Sequence, residues 1–358
     1  MQETRSRTDA RRRIARWSTL FALTALVVVA CSNSAASSAP ATSEPSVASV
    51  APASEAPAST APSAAAQSYK IGYISLGDSV PFVKLVSDSI KKAATDAGQN
   101  LVFCDSEIDA AKALACAQNL KVQGVQGVLN FQVFQDSSPE ICTAYGSVPT
   151  IAIDIVQPPC QIAFMGANNK AAGKMAGEAI GKYAKDTWNC DITAYVSLES
   201  TAAGAANTDR MGGYREGFKE FCPIPAAKEK VLDGADRTDP ALQQVSDLLP
   251  ALPGNHIVVV AINEDGILGA LGAARTLGRE KDLFYSGQGT DPSIWKEIAC
   301  NPQYIASTAY FPEKYGTLLI PNMVKALSGE TIPTEIYTEH VIVNSQNIRD
   351  IYPATPAC

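Results

Sequence analysis

The chemistry open to this 358-residue chain rests on nine cysteines, two histidines and several carboxylates at apparent strand ends. His256 and His340 stand 84 positions apart, and neither sits in a Cys-x-x-Cys or His-x-x-x-His spacing. A zinc site is therefore not expected, and no other metal or cofactor is implied. Catalytic signatures are also missing. There is no G-x-S-x-G, G-x-x-x-x-G-K-S/T or H-E-x-x-H, and Gly266, Gly269 and Gly272 fall inside an apparent helix where they form no phosphate loop. The sequence gives no ground for expecting an enzyme.

Cysteine usage points to export. Arg11, Arg12, Arg13 and Arg16 form a basic start, and Ser18 to Ala30 is an apolar stretch too short to span a bilayer, so residues 1–30 read as a signal peptide. Val28-Val29-Ala30-Cys31 then resembles the lipobox of bacterial lipoproteins, which implies lipidation of Cys31 and a membrane anchor on the outer face of the cell. From Ser32 to Gln67, 30 of the 36 residues are Ser, Ala, Pro or Thr, a composition that cannot build a core and reads as a tether over residues 31–67. The remaining cysteines number eight, and an even count in an exported chain favours disulfides. Eight cysteines admit 105 pairings, among which sequence does not choose. Pairing of neighbours is the expectation: Cys104 with Cys116, Cys142 with Cys160, Cys190 with Cys222, and Cys300 with Cys358. Each bond would tie adjacent elements, whose Cα atoms easily reach the required separation of about 4.4–6.8 Å.

The elements that must position any site are legible from Tyr69 onward. The chain is 46% hydrophobic, enough for a sizeable core, and its 29 Lys+Arg against 36 Asp+Glu give a net charge of −7, with no basic field for nucleic acid. Lys70–Leu76 reads as a buried strand and Phe82–Ala97 as a helix stopped by Gly98. Strands follow at 100–104, 127–131 and 149–155, with a helix at 110–123. A second series places helices at 171–185, 209–221, 240–249 and 267–278 between strands at 192–196, 230–233, 257–262 and 283–287. Such alternation predicts α/β architecture with doubly wound parallel sheets, and two series over roughly 290 residues predict two lobes. Ligands in open parallel sheets sit beyond the strands' carboxyl ends, here the loops near Leu76, Phe131, Asp154, Leu198, Asn263 and Gly287.

An ordered set of short motifs runs through this region. Pro81-Phe82 starts a helix, Asp154 ends a strand, Asn168-Asn169-Lys170-Ala171-Ala172-Gly173 opens a helix, and Arg210-Met211-Gly212-Gly213-Tyr214 follows. Asn263 to Ala270, Ser286 to Asp291, Tyr310-Phe311-Pro312 and Ser328 to Pro333 complete it. In this order they resemble the ribose-type periplasmic binding proteins, the substrate-binding subunits of ABC importers. That resemblance implies the periplasmic binding protein-like I fold, with two lobes joined by a three-segment hinge near Asn168, Tyr310 and Glu339. The N-terminal lobe would comprise 68–168 plus 311–338, and the C-terminal lobe 169–310 plus 339–358.

The resemblance also implies a ligand set. Asp154 would accept hydrogen bonds from sugar hydroxyls, Arg210 would donate several in a fixed fork, and Asn263 would do both. Phe82 would pack on the apolar face of a sugar ring, with Tyr310 where many relatives carry glutamine. Gln288 and Asp291 replace the usual Phe-Asp pairing, and Ile155 stands where ribose binders have arginine; both departures point away from ribose itself. Asp78 and Phe131, in the first and third loops, complete the candidates. Each has a plainer reading too: a turn or cap for Asp154 and Asn263, a solvated helix start for Arg210, lobe core for the aromatics.

The expected function is capture of a small polar ligand, most simply a carbohydrate, by a monomer that closes on it and delivers it to an ABC permease. Arg210 and Asp154 would serve an amino acid equally well, and a nucleoside, an autoinducer or a sensory role without transport stays open. A transcription regulator of similar lobes would need a helix-turn-helix ahead of Tyr69, where the tether lies.

Overall fold

The structure, a computed structural model, describes residues 67–358. The expected signal peptide, Cys31 and the tether up to residue 66 lie outside the described residues. The first series runs β1 (Lys70–Ser75), α1 (Pro81–Asp96), β2 (Asn100–Asp105), α2 (Ala110–Val122), β3 (Gly127–Asn130), α3 (Ser138–Tyr145), β4 (Thr150–Ile153) and β5 (Gln161–Gly166). The second runs α4 (Asn169–Trp188), β6 (Ala194–Glu199), α5 (Ala205–Lys219), β7 (Glu229–Asp233), α6 (Thr238–Leu248), β8 (Ile257–Ala261), α7 (Glu264–Thr276), β9 (Leu283–Gly289), α8 (Trp295–Cys300) and β10 (Tyr304–Ala309). The chain ends with α9 (Tyr315–Leu327), β11 (Glu335–Tyr337), β12 (Val341–Val343) and α10 (Ile348–Ile351).

Two six-stranded sheets result, ordered β11-β5-β4-β3-β1-β2 and β12-β10-β9-β8-β6-β7. Every pairing is parallel except β10 with β12. Each sheet reverses its winding at one point, between β1 and β3 in the first and between β6 and β8 in the second. Those switch points open a crevice at the strands' carboxyl ends. The chain passes between the sheets three times: after β5, after β10 and between β11 and β12.

Local sequence explains the elements. In α1, Pro81 occupies the first turn, where a missing N–H costs nothing, and Val83, Val86, Ile90 and Ala94 bury one stripe against the sheet. Burying each of the three larger side chains contributes about 1.5–3 kcal/mol before entropy. Gly98, at φ +65°, ends the helix in the left-handed region that a Cβ disfavours.

The second lobe is built on a glycine seam. Along α4, an added Cβ at Gly173 would lie 2.2 Å from the Arg210 carbonyl oxygen, and one at Gly177 would lie 2.3 Å from that of Tyr214. From the α5 side, a Cβ at Gly213 would meet the Lys170 oxygen at 2.4 Å and one at Gly217 the Lys174 oxygen at 2.2 Å. The two helices therefore touch backbone to backbone, a separation only glycine permits. Beneath them, Ser286 of β9 donates to the Ala176 carbonyl at 3.0 Å and Thr308 of β10 to that of Ala172 at 3.0 Å. Buried hydroxyls thus spend their hydrogen bonds on α4 and hold it close to the sheet.

That device hid β10 from the sequence reading, since Ser307 and Thr308 are polar yet fully buried. β5, α3, α8, α9 and the strands β11 and β12 were likewise unforeseen. Four disulfides join Cys104 to Cys116, Cys142 to Cys160, Cys190 to Cys222, and Cys300 to Cys358, with Cα separations of 5.7, 5.6, 5.3 and 5.5 Å. Each closes a loop within a single lobe.

Candidate ligand-binding cleft

A cavity of about 130 Å³ lies between the lobes, lined from one side by the loops after β1, β3 and β4 and from the other by those after β6 to β10. Phe82, Phe131, Asp154, Arg210, Asn263, Gln288, Asp291 and Tyr310 all reach it. Asp78 does not line it. Its Oδ1 accepts from Ser75 at 2.8 Å and Ser87 at 2.5 Å, and Lys91 lies 3.2 Å from Oδ2, so the carboxylate closes off the lobe beneath α1.

Asp154 follows β4 at φ +57° and is buried. Its Oδ1 accepts from the Tyr315 hydroxyl at 2.9 Å, and Gly166 across from it leaves the room, since a Cβ there would lie 2.5 Å from the same oxygen. Burial pushes its carboxyl above the usual range, while the charge of Arg210 and the Tyr315 hydroxyl oppose the shift.

Arg210 comes from the other lobe, and the glycine seam sets its backbone. Its Nε donates to Asn169 Oδ1 at 2.6 Å and its Nη1 to the Ile262 carbonyl at 3.0 Å, so two of its donors lock the fork and the rest stay available. The guanidinium carbon sits 5.1 Å from the centre of the Tyr310 ring. Asp154 and Arg210 feel each other's charge yet form no ion pair within 4.0 Å, which leaves space between them.

Tyr310, fully buried, donates its hydroxyl to Gln288 Oε1 and meets Phe82 edge-on with centroids 6.3 Å apart. Gln288 lines the cavity, and its Nε2 is buried without a hydrogen-bond partner. An unpaired buried amide costs about 1–3 kcal/mol unless something fills the need. Phe82 also packs edge-on against Tyr315 at 5.9 Å, and Phe131 is buried in the first lobe's core, so both aromatics line the cavity and support it. Asn263 caps α7: its Oδ1 accepts from the Gly266 N–H at 3.0 Å and its Nδ2 donates to the Asp236 carbonyl at 2.9 Å. Both ends of that amide are thus committed to the fold. Asp291 Oδ1 accepts from the Ser293 N–H at 2.7 Å.

Sequence reasoning missed Asp236, Arg237, Glu264 and Asp265, which line the same wall. Glu264 and Asp265 stand inside the Asn263–Ala270 motif but read as the start of a helix. Glu264 is buried, its Oε1 accepts from the Asp291 N–H at 2.9 Å, and burial together with the Asp291 charge pushes its carboxyl well above the usual range. Asp265 and Asp291 are raised too, in both cases first by burial.

One imidazole ties the three crossings. The Asn168 N–H donates to His340 Nε2 at 3.0 Å, and Nδ1 sits 3.3 Å from the Ala309 carbonyl. Nε2 must therefore carry the lone pair and Nδ1 the proton. Burial holds this histidine below its ordinary pKa, the Ala309 carbonyl opposes the shift, and the nearby Arg210 charge adds to it.

Among the described residues, no cluster of three or more His, Cys, Asp or Glu side chains is arranged to hold a metal, and no helix is long and apolar enough to cross a membrane. Residues 71–331 match the family described as periplasmic binding protein domain. Over 278 residues the chain is 28% identical to the ribose import binding protein RbsB of Haemophilus influenzae, covering 74% of this chain and 87% of that protein. A solute-binding protein of an ABC transporter from Mycobacterium smegmatis, solved with bound glycerol, superposes with a TM-score of 0.70 at 23% identity, covering 82% of this chain and 98% of that one. A second Mycobacterium smegmatis structure, in complex with β-D-fucofuranose, gives a TM-score of 0.68 at 21% identity, covering 80% and 94%. Two parallel-sheet lobes, three crossings and a match over most of the folded part agree: the chain belongs to the periplasmic binding protein family, with the ribose-type, type 1 fold.

Proposed function

We propose that this protein captures a small polyhydroxylated ligand, a carbohydrate or polyol, by closing its two lobes over it and presents the closed form to an ABC permease. The observation that carries the reading is the pairing of Asp154 and Arg210: opposite charges from opposite lobes, on one cavity, each oriented by its own lobe and separated by a gap. A hydroxyl-rich ligand that donates to the carboxylate and accepts from the guanidinium gains both contacts only when the lobes are closed, and that differential affinity shifts the hinge. Gln288 lines the same cavity with an amide whose Nε2 has no hydrogen-bond partner, a further polar group for such a ligand. The arrangement needs no catalytic step. The RbsB relatives, 26–28% identical, are ribose import binding proteins, which supports a sugar, while Ile155 and Gln288 favour one other than ribose. Export, a lipid anchor at Cys31 and a monomeric state complete the proposal.

The test is a thermal-shift screen of the oxidised protein against monosaccharides, polyols, amino acids and nucleosides. A ligand at a hundredfold excess over its Kd adds about 2.7 kcal/mol. A shift confined to sugars or polyols, weakened at least tenfold in Kd by Arg210→Ala, supports the reading. Response to amino acids alone, or a ligand indifferent to Arg210→Ala, refutes it.

A further inference from the structure

Beside the central cavity lies a second, larger one, about 340 Å³ against about 130 Å³. Both are lined by Asp154, Ile155 and Ala206, so they meet at the carboxylate that anchors the proposed ligand. The second chamber also spans the lobes: Phe164, Glu335 and Tyr337 come from the first, and Asn169, Lys170 and Asp209 from the second. Tyr337 keeps 43% of its surface exposed, which is unusual here for so large an apolar side chain, and its ring meets Phe164 edge-on at 6.2 Å. An exposed aromatic supported from behind is a surface for the apolar face of a ring. Among the described residues neither Asp209 nor Glu335 is engaged in an ion pair; Glu335 lies within hydrogen-bonding reach of the Tyr337 side chain, and Asp209 has a carboxylate to offer to hydroxyls. The single cation, Lys170, is already paired with Glu216 at 3.2 Å. With Asp154, Asp209 and Glu335 against it, the chamber disfavours an anionic occupant.

Resting on the sugar-binding reading above, we infer that the ligand is a neutral two-unit carbohydrate, a disaccharide or a glycoside, with one unit between Asp154 and Arg210 and the second in the lateral chamber against Tyr337. The second unit bridges the lobes as the first does, so it adds to closure as well as to contact area. A ligand the size of one sugar ring leaves the larger chamber to water and gains nothing from it.

The experiment is isothermal titration of the oxidised protein with D-glucose, D-galactose, D-mannose and D-xylose beside disaccharides built from them, such as cellobiose, lactose, mannobiose and xylobiose, in wild type, Tyr337→Ala and Asp209→Ala. The expected result is a disaccharide bound at least tenfold tighter than either component, with that advantage lost in both variants while monosaccharide affinity and melting temperature hold. A monosaccharide that binds as tightly as its disaccharides, or equal losses for both in Tyr337→Ala, overturns the two-unit ligand and leaves the sugar reading standing. Silence from both panels overturns the two together.

Discussion

Glu264 makes a quantitative demand on how this protein responds to acid. It is buried, its Oε1 accepts from the Asp291 N–H, and Gly289 beside it has no side chain to spare, since a Cβ there would lie 2.2 Å from the same oxygen. Burial and the Asp291 charge raise its folded pKa above the value of about 4.3 it has in an unfolded chain. Between those two values the native state holds more protons than the unfolded one, so stability falls as pH rises through the window and recovers as pH falls. Each pH unit inside the window is worth about 1.4 kcal/mol for a fully titrating group, or about 2 °C in Tm for a domain of this size. Asp154, Asp265 and Asp291 are raised as well and act in the same direction. Glu264→Gln keeps the acceptor for the Asp291 N–H and removes both the titration and the like charge. The assay is the melting temperature of the ligand-free, oxidised protein from pH 8 to pH 5. The variant should melt above wild type at pH 8, and the gap should shrink as pH falls below the folded pKa of Glu264. His340 pulls the other way but is common to both proteins, so it cancels in the difference. A gap that stays constant across the range refutes the argument, because it would mean Glu264 does not titrate differently in the folded state.

Two other expectations follow from packing and from the hinge. Gly177→Ala forces a Cβ to within 2.3 Å of the Tyr214 carbonyl and should cost about 3 kcal/mol by urea melts, whereas Gly212→Ala, with nothing within 4 Å, should be neutral or stabilise by about 0.5–1 kcal/mol; equal effects would show that α4 and α5 are not in backbone contact. His340 should titrate in NMR below its ordinary 6.5, and its contribution to stability should be lost as pH falls from that value to the folded one, since a proton on Nε2 would confront the Asn168 N–H; a midpoint at or above 6.5 contradicts the hydrogen-bond assignment.

The lobes were legible because each alternates apolar strands with amphipathic helices, and because most of the motif stretches fall just after strands or at the crossings. Asp154 and Arg210 were picked out by the family resemblance, one following a clear strand and the other inside a glycine-marked helix, and both reach the cavity. What stayed hidden depends on three-dimensional neighbours. β10 carries Ser and Thr that are apolar only in effect, their hydroxyls being absorbed by α4. Asp78 and a cavity carboxylate look alike in one dimension; only the hydroxyls of Ser75 and Ser87 reveal that Asp78 is spoken for. Glu264 looked like an ordinary acidic first turn of a helix, and nothing short of the fold shows that Gly289 and Asp291 bury it.

The placement of the four disulfides has a mechanical meaning. Among the described residues every bridge is internal to one lobe, and none spans the crossings, which are joined instead by hydrogen bonds to His340. Covalent stiffness is thus lodged in the two jaws and compliance in the pin. Oxidation can harden each jaw against heat and proteases without adding resistance to its swing, and a reductant should blunt the jaws while the pin turns as before.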